Sequence, residues 1–113
     1  MNSIAEPIEA TPWLSVLVPA YNAAAYLGEC VESVLAQGIE GVELVVVDDC
    51  SNDASAAILT QLATRWPKGF RVQRHARNRG LSSARNTLLE AARGEYLWFL
   101  DADDKLLPGV LGE

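Results

Sequence analysis

The sequence is short of histidine, of cysteine and of positive charge, and it holds no long apolar run. No stretch approaches the ~20 apolar residues that cross a bilayer. The first twelve residues, MNSIAEPIEATP, have no basic segment ahead of an apolar core, which is the pattern of a secretory signal. Residues 1–12 are expected to form a flexible lead, with one domain over 13–113. The two cysteines, Cys30 and Cys50, stand in no metal-ligand spacing. Without a signal ahead of them, reduced thiols in a cytoplasmic protein are expected. The one histidine, His75, ends an apolar run, and packing or a surface position is expected for it rather than catalysis. Lys and Arg number 9 against 15 Asp and Glu, a net charge of −6, which argues against general nucleic-acid binding.

What is present is globular composition: 113 residues, 50% apolar and 21% charged, enough for one domain with a modest core. Four short apolar runs alternate with helical patterns. WLSVLVP (13–19) and VELVVV (42–47) read as strands, the second covered on both faces. FRVQRH (70–75) is a more polar strand, expected nearer an edge. EYLWFL (95–100) is the fourth, expected to be buried. Between them, Tyr26, Leu27, Cys30, Val31, Val34 and Leu35 share one helical face. A second helix has an inner stripe of Ile58, Leu59, Leu62 and Trp66, with Ser51, Asn52 or Asp53 as its cap. A third has Ser82 or Ser83 near its start, Leu88 and Ala92 inside, and Gly94 at its C-cap. The order β-α-β-α-β-α-β predicts an α/β fold, a mainly parallel sheet of about four strands with helices on both faces.

In such sheets ligands bind beyond the carboxyl ends of the strands. Those ends carry the unusual polar chemistry: PAYNA, DDCSND, HARNRG and DADD. Asp48 and Asp49 follow one strand directly. One is expected to point back along the sheet and one toward the crevice, accepting hydrogen bonds from a ligand or from the next helix. Tyr21 offers a ring that stacks on a planar base or packs at the surface. Eight of the nine basic residues fall between Arg65 and Arg93, where the only acid is Glu90. This suggests an anion site or a solvated helix face. Arg85 suits a phosphate, a base carbonyl or the strand-end aspartates. Asp101, Asp103 and Asp104 are hard-oxygen donors whose mutual repulsion a divalent cation would offset; an acidic surface turn is the alternative.

Four segments, LSVLVPAYNAAAYLGECVESVLAQ, VELVVVDDCSND, NRGLSSARN and ARGEYLWFLDADD, together resemble the N-terminal half of a family 2 glycosyltransferase with the GT-A fold, over residues 13 to 109. The resemblance implies a Rossmann-like nucleotide-binding half, a nucleotide-sugar donor (often a UDP-sugar), and inverting transfer with Mn²⁺ or Mg²⁺. Carried over by position, Pro19, Tyr21, Asn22, Asp49, Ser51, Arg85 and Asp103 would serve the nucleotide. Asp49 would accept from the base N–H, Tyr21 would flank the ring, and Asp103 would contact the ribose or sugar side. Asp104 would be the principal metal ligand, with Asp101 sharing the metal through water. The family usually has Gly where this chain has Cys50, which matters if the backbone there needs φ > 0.

The family's acceptor site and general base lie in its second half, so the base is expected beyond Glu113 and this chain alone is expected to be inactive. The acceptor, a sugar, lipid or polysaccharide, is left unnamed. An uncovered edge and apolar face would favour a homodimer or cover by a second half. The expected place is the cytoplasm, free or against the inner face of the membrane. Two other classes fit the composition. A receiver-like signalling domain needs a fifth strand bearing a lysine, whereas Lys105 directly follows the acidic motif. A non-catalytic assembly module would keep the acidic edge as a vestige.

Overall fold

The computed structural model describes residues 11–111. The expected flexible lead lies outside the described residues except for its last two positions. Four strands, β1 (Leu14–Ala20), β2 (Val42–Asp48), β3 (Phe70–Arg74) and β4 (Tyr96–Phe99), alternate with α1 (Ala24–Leu35), α2 (Ser55–Arg65) and α3 (Leu81–Ala91). All pairings are parallel and the strand order is β3-β2-β1-β4. The chain steps outward from β1 to β3, then returns to the other side of β1. The order therefore reverses at β1, the position where open α/β sheets bind ligands.

β1 and β2 are buried on both faces, as their unbroken Val and Leu content predicts. Val16, Val18, Leu44 and Val46 pack with Leu27, Val31 and Val34 of α1 and Leu59 and Leu62 of α2. Leu17, Val45 and Val47 face the other way, against Ala84 and Leu88 of α3. Each fully buried Val or Leu contributes about 1.5–3 kcal/mol of transfer free energy, so these two layers fix the strand ends. As expected, β3 lies at an edge.

Four expectations are corrected. β4 is not buried: Tyr96, Leu97, Trp98 and Phe99 are all exposed, Tyr96 to 67%. β4 is the second edge and pairs only with β1, so its outer flank meets no further strand among the described residues. Tyr26 is exposed although it lies beside Leu27 in the apolar pattern. The N-cap of α2 is Ala54, not Ser51, Asn52 or Asp53. Gly94 is not a left-handed helix cap. It is where the chain passes β1 so closely that a Cβ would lie 2.6 Å from the Ser15 nitrogen.

A buried polar network closes the amino ends of the strands. Glu43, 6% exposed, accepts from the Ser15 hydroxyl at 2.6 Å, the Arg93 N–H at 2.8 Å and the Arg71 guanidinium at 2.8 Å. Arg71 also donates to the Ala91 carbonyl at 2.7 Å, satisfying the last turn of α3. Burial pushes the Glu43 carboxyl up, but the donors from Ser15, Arg93 and Arg71 outweigh it and hold the group below its ordinary value.

Candidate donor-binding site

A cleft of about 320 Å³ opens at the carboxyl ends of β1 and β2. Its lining is Pro19, Ala20 and Tyr21 from the end of β1, Asp49 from the end of β2, and Asn78, Gly80, Leu81 and Ala84 from the entry to α3. Three of the residues singled out in the sequence, Pro19, Tyr21 and Asp49, thus meet in one concavity. Tyr21 is half exposed and free to present its ring. A larger cavity of about 650 Å³ between α1 and residues 105–109 contains none of them.

The adjacent aspartates divide their tasks as expected. Asp48 turns inward: Oδ1 accepts from the Ser51 N–H at 3.0 Å and hydroxyl at 2.5 Å, and Oδ2 pairs with Arg74 at 3.0 Å. Asp49 turns toward the cleft but is also buried, at 3% exposure. Its Oδ1 meets His75 Nδ1 at 2.7 Å and the Arg79 N–H at 2.9 Å, and its Oδ2 accepts from the Gly80 N–H at 2.8 Å. Burial raises the pKa of this carboxyl, yet the donors from His75, Arg79 and Gly80 prevail and leave it below the usual value. Asp49 therefore faces the cleft as an anion. Gly80, at φ 93°, makes the backbone turn that brings two N–H groups to it.

Asn22 and Ser51 connect the two strand-end loops. The Asn22 N–H donates to Ser51 Oγ at 2.8 Å, and the Asn52 N–H donates to Asn22 Oδ1 at 2.9 Å. Ser51 is buried and its hydroxyl is occupied by Asp48 and Asn22. Asp53, an expected cap, bridges two helix starts, accepting from the Ser55 N–H at 2.8 Å and the Ala24 N–H at 3.2 Å. Cys50 has φ 61°, so the position does use the left-handed backbone that glycine adopts without strain.

The basic segment is less free than its sequence suggests. Arg65, Arg71 and Arg74 are taken up by Glu32, Glu43 and Asp48. Arg85, on the second turn of α3, forms no ion pair among the described residues. Its guanidinium lies 5.9 Å from the Phe99 ring centroid, two residues before the acidic motif.

Asp101, Asp103 and Asp104 are exposed, and one carboxylate oxygen of each lies within 4.8 Å of the others. The Asp104 N–H closes the turn by donating to the Asp101 carbonyl at 2.9 Å. Three convergent hard-oxygen donors with open solvent beside them suit Mg²⁺ or Mn²⁺, which keep waters and take phosphate oxygens. Their charge is felt below: burial and then Asp104, Asp103 and Asp101 push the Cys30 thiol up to about 12. Sequence reasoning missed Asn78 and Leu81 as lining, and missed that His75 holds Asp49. The strand-end position of His75 was the available signal.

The glycosyl transferase family 2 model matches residues 15–113. The chain is 43% identical over 93 residues to the uncharacterized glycosyltransferase EpsJ of Bacillus subtilis, covering 82% of this chain and 26% of that protein. It superposes on S. aureus TarS residues 1–349 in complex with UDP-GlcNAc with a TM-score of 0.76 at 33% identity, over 88% of this chain and 29% of that one. It superposes equally, with a TM-score of 0.76 at 30% identity, on the mannosyltransferase PcManGT of Pyrobaculum calidifontis in complex with GDP-Man and Mn²⁺, over 86% and 29%. The chain thus spans about a quarter to a third of these relatives. Its four-stranded parallel sheet with three helices has the GT-A fold of these neighbours. Match, fold and strand-end chemistry agree: the chain belongs to glycosyl transferase family 2.

Proposed function

We propose that this chain is the donor-binding half of an inverting glycosyltransferase that takes a nucleoside-diphosphate sugar, a UDP-sugar in the first instance, with Mn²⁺ or Mg²⁺. One observation carries the reading: Pro19, Tyr21 and Asp49 line one cleft where the strand order reverses, and the neighbouring strand β4 ends in three clustered carboxylates. Tyr21 and Pro19 flank the base, and the Asp49 carboxylate accepts from its ring N–H. Asn22 and Ser51 act by locking the two loops that shape the cleft. Arg85, exposed beside Phe99, serves the base and diphosphate as a cation. Asp103 serves the ribose or sugar side. Asp104 is the principal metal ligand, and Asp101 contributes through water. The metal, when bound, neutralises charge on the departing diphosphate.

In this reading the general base and the acceptor site, for a sugar, a lipid or a polysaccharide, belong to none of these residues. His75 is buried between Asp49 and Thr87 and is not placed for the task. The 113-residue chain alone is expected to bind donor weakly and to transfer nothing. The exposed side chains of β4 support a homodimer or cover by further polypeptide. Light scattering that gives a monomer mass at every concentration would remove the dimer. No helix among the described residues is long and apolar enough to cross a membrane. The reading places the chain in the cytoplasm, free or against the inner membrane face.

Calorimetric titration with UDP and Mn²⁺ tests the site. Heat of binding is expected from the wild type in the presence of metal, and none from Asp104→Ala. A folded wild type that gives no heat would overturn the assignment.

A further inference from the structure

The Asp49 carboxylate is held by a side chain as well as by two backbone N–H groups. Thr87 Oγ1 lies 2.8 Å from His75 Nε2, and His75 Nδ1 lies 2.7 Å from Asp49 Oδ1. The chain Thr87–His75–Asp49 thus runs from the middle of α3, through the residue after β3, to the end of β2. The His75 N–H also donates to the Asp48 carbonyl at 2.9 Å, so the backbone beneath the ring is fixed as well. Imidazole and carboxylate are both buried.

We infer that His75, clamped by Thr87, is a positioning residue that sets the plane of the Asp49 carboxylate in the cleft and thereby sharpens the choice of nucleobase. The inference rests on the donor-site reading given above. Oδ1 already takes two donors, His75 and the Arg79 N–H. Oδ2 takes one, the Gly80 N–H, and retains acceptor capacity. A carboxylate fixed in this plane offers one directed acceptor to the cleft. A base that presents a ring N–H, as uracil does at N3, satisfies it. Cytosine presents a lone pair at the same ring atom and meets the anion with repulsion. Without His75, Oδ1 keeps the Arg79 N–H and Oδ2 the Gly80 N–H, and the carboxylate loses the one side-chain donor that restrains its rotation about Cβ–Cγ. The direction of the free acceptor is then held less tightly, and the difference between the two bases narrows. Thr87 acts one step earlier, because its hydroxyl determines which way the imidazole faces.

The test compares UDP with CDP, each with Mn²⁺, by calorimetry. Diphosphate and metal are common to both ligands, so the ratio of affinities reports the base contact alone. The wild type is expected to prefer UDP. Thr87→Val and His75→Ala are expected to weaken UDP binding about tenfold while leaving CDP almost unchanged. His75→Asn, whose amide nitrogen can take the place of Nδ1, is expected to recover most of the preference. Circular dichroism establishes that each variant is folded, and Thr87→Val keeps the test alive if His75→Ala is not. A folded Thr87→Val or His75→Ala chain that retains the full wild-type preference would overturn the role of His75 and leave the donor site standing. A wild type that binds neither nucleotide would remove the donor-site reading, and this inference with it.

Discussion

Glu43 and Asp104 are both acids at the ends of strands, yet their surroundings are opposite. At the amino ends, Glu43 is buried with donors from Ser15, Arg71 and Arg93, and Arg71 in turn holds the last turn of α3. At the carboxyl ends, Asp101, Asp103 and Asp104 are exposed and face one another, and none forms an ion pair among the described residues. A carboxylate with a full set of donors belongs to the framework. Exposed carboxylates that take no donor from the fold add nothing to that framework, which is what the metal-ligand reading proposed above requires of them. Asp49 stands between the two cases, since its donors fix it in place while it still faces the cleft.

The contrast breaks most visibly at Glu43. Glu43→Ala leaves the Ser15 hydroxyl, the Arg93 N–H and a part-buried guanidinium without their acceptor. Losing one partner of a buried pair costs about 3–5 kcal/mol, read as a lower urea midpoint at unchanged slope. At low denaturant, where the variant is still folded, UDP affinity per folded molecule is expected to match the wild type. A loss of affinity without a loss of stability would mean that the two ends of the sheet are not separate in function.

Asp104→Asn is the converse. The residue is exposed and only its backbone is bonded within the fold, so stability is expected to stay within about 0.5 kcal/mol of the wild type. Metal-dependent UDP binding is expected to disappear. A large fall in the urea midpoint would make the acidic turn a structural element.

Acid sharpens the comparison further. Glu43 and Asp49 both sit below their ordinary values of 4.5 and 3.8, because their hydrogen bonds outweigh burial. With the folded value depressed, the unfolded chain takes up protons first. Their contribution is therefore fully present above about pH 5 and is lost as the pH falls below 4.5 and on through the depressed folded values. Urea midpoints measured at pH 7, 5 and 3 are expected to be level between the first two and to drop at the third. Glu43→Gln is expected to shrink that drop.

Much of this was legible in the sequence, for identifiable reasons. The Val and Leu runs of β1 and β2 sit at the centre of the sheet, where every residue is covered, so local composition and burial agree. The strand-end polar groups are visible because parallel topology sends all four ends to one side. What failed depends on neighbours distant in sequence. YLWF has the composition of a buried strand, but strand order places β4 at an edge. Gly94 stands where a helix cap is expected, and its reason is the close passage of β1. The donors to Asp49 come from residues 26 to 31 positions away, and no local pattern announces them. Arg71 and Arg74 read as part of an anion site until Glu43 and Asp48 are seen to hold them.

The smallest effect tests the one departure at the site from the family's usual pattern. Cys50 adopts φ 61° between Asp49, which faces the cleft, and Ser51, which locks the loops. A side chain in this backbone region costs roughly 1–2 kcal/mol, and glycine removes that strain but adds freedom to the unfolded chain. The Cys50 thiol also lies 3.6 Å from the Ala76 carbonyl, a weak contact that glycine forgoes. The net expectation for Cys50→Gly is a stabilisation of up to about 1 kcal/mol, with UDP affinity unchanged because the backbone path is already the one glycine favours. Cys50→Ala separates the causes: it keeps the strain and loses the thiol contact, so it is expected to be slightly less stable than the wild type. If Cys50→Gly is instead destabilising, the thiol contact outweighs the strain, and the cysteine is a fastener between the β2 and β3 ends rather than a tolerated substitute.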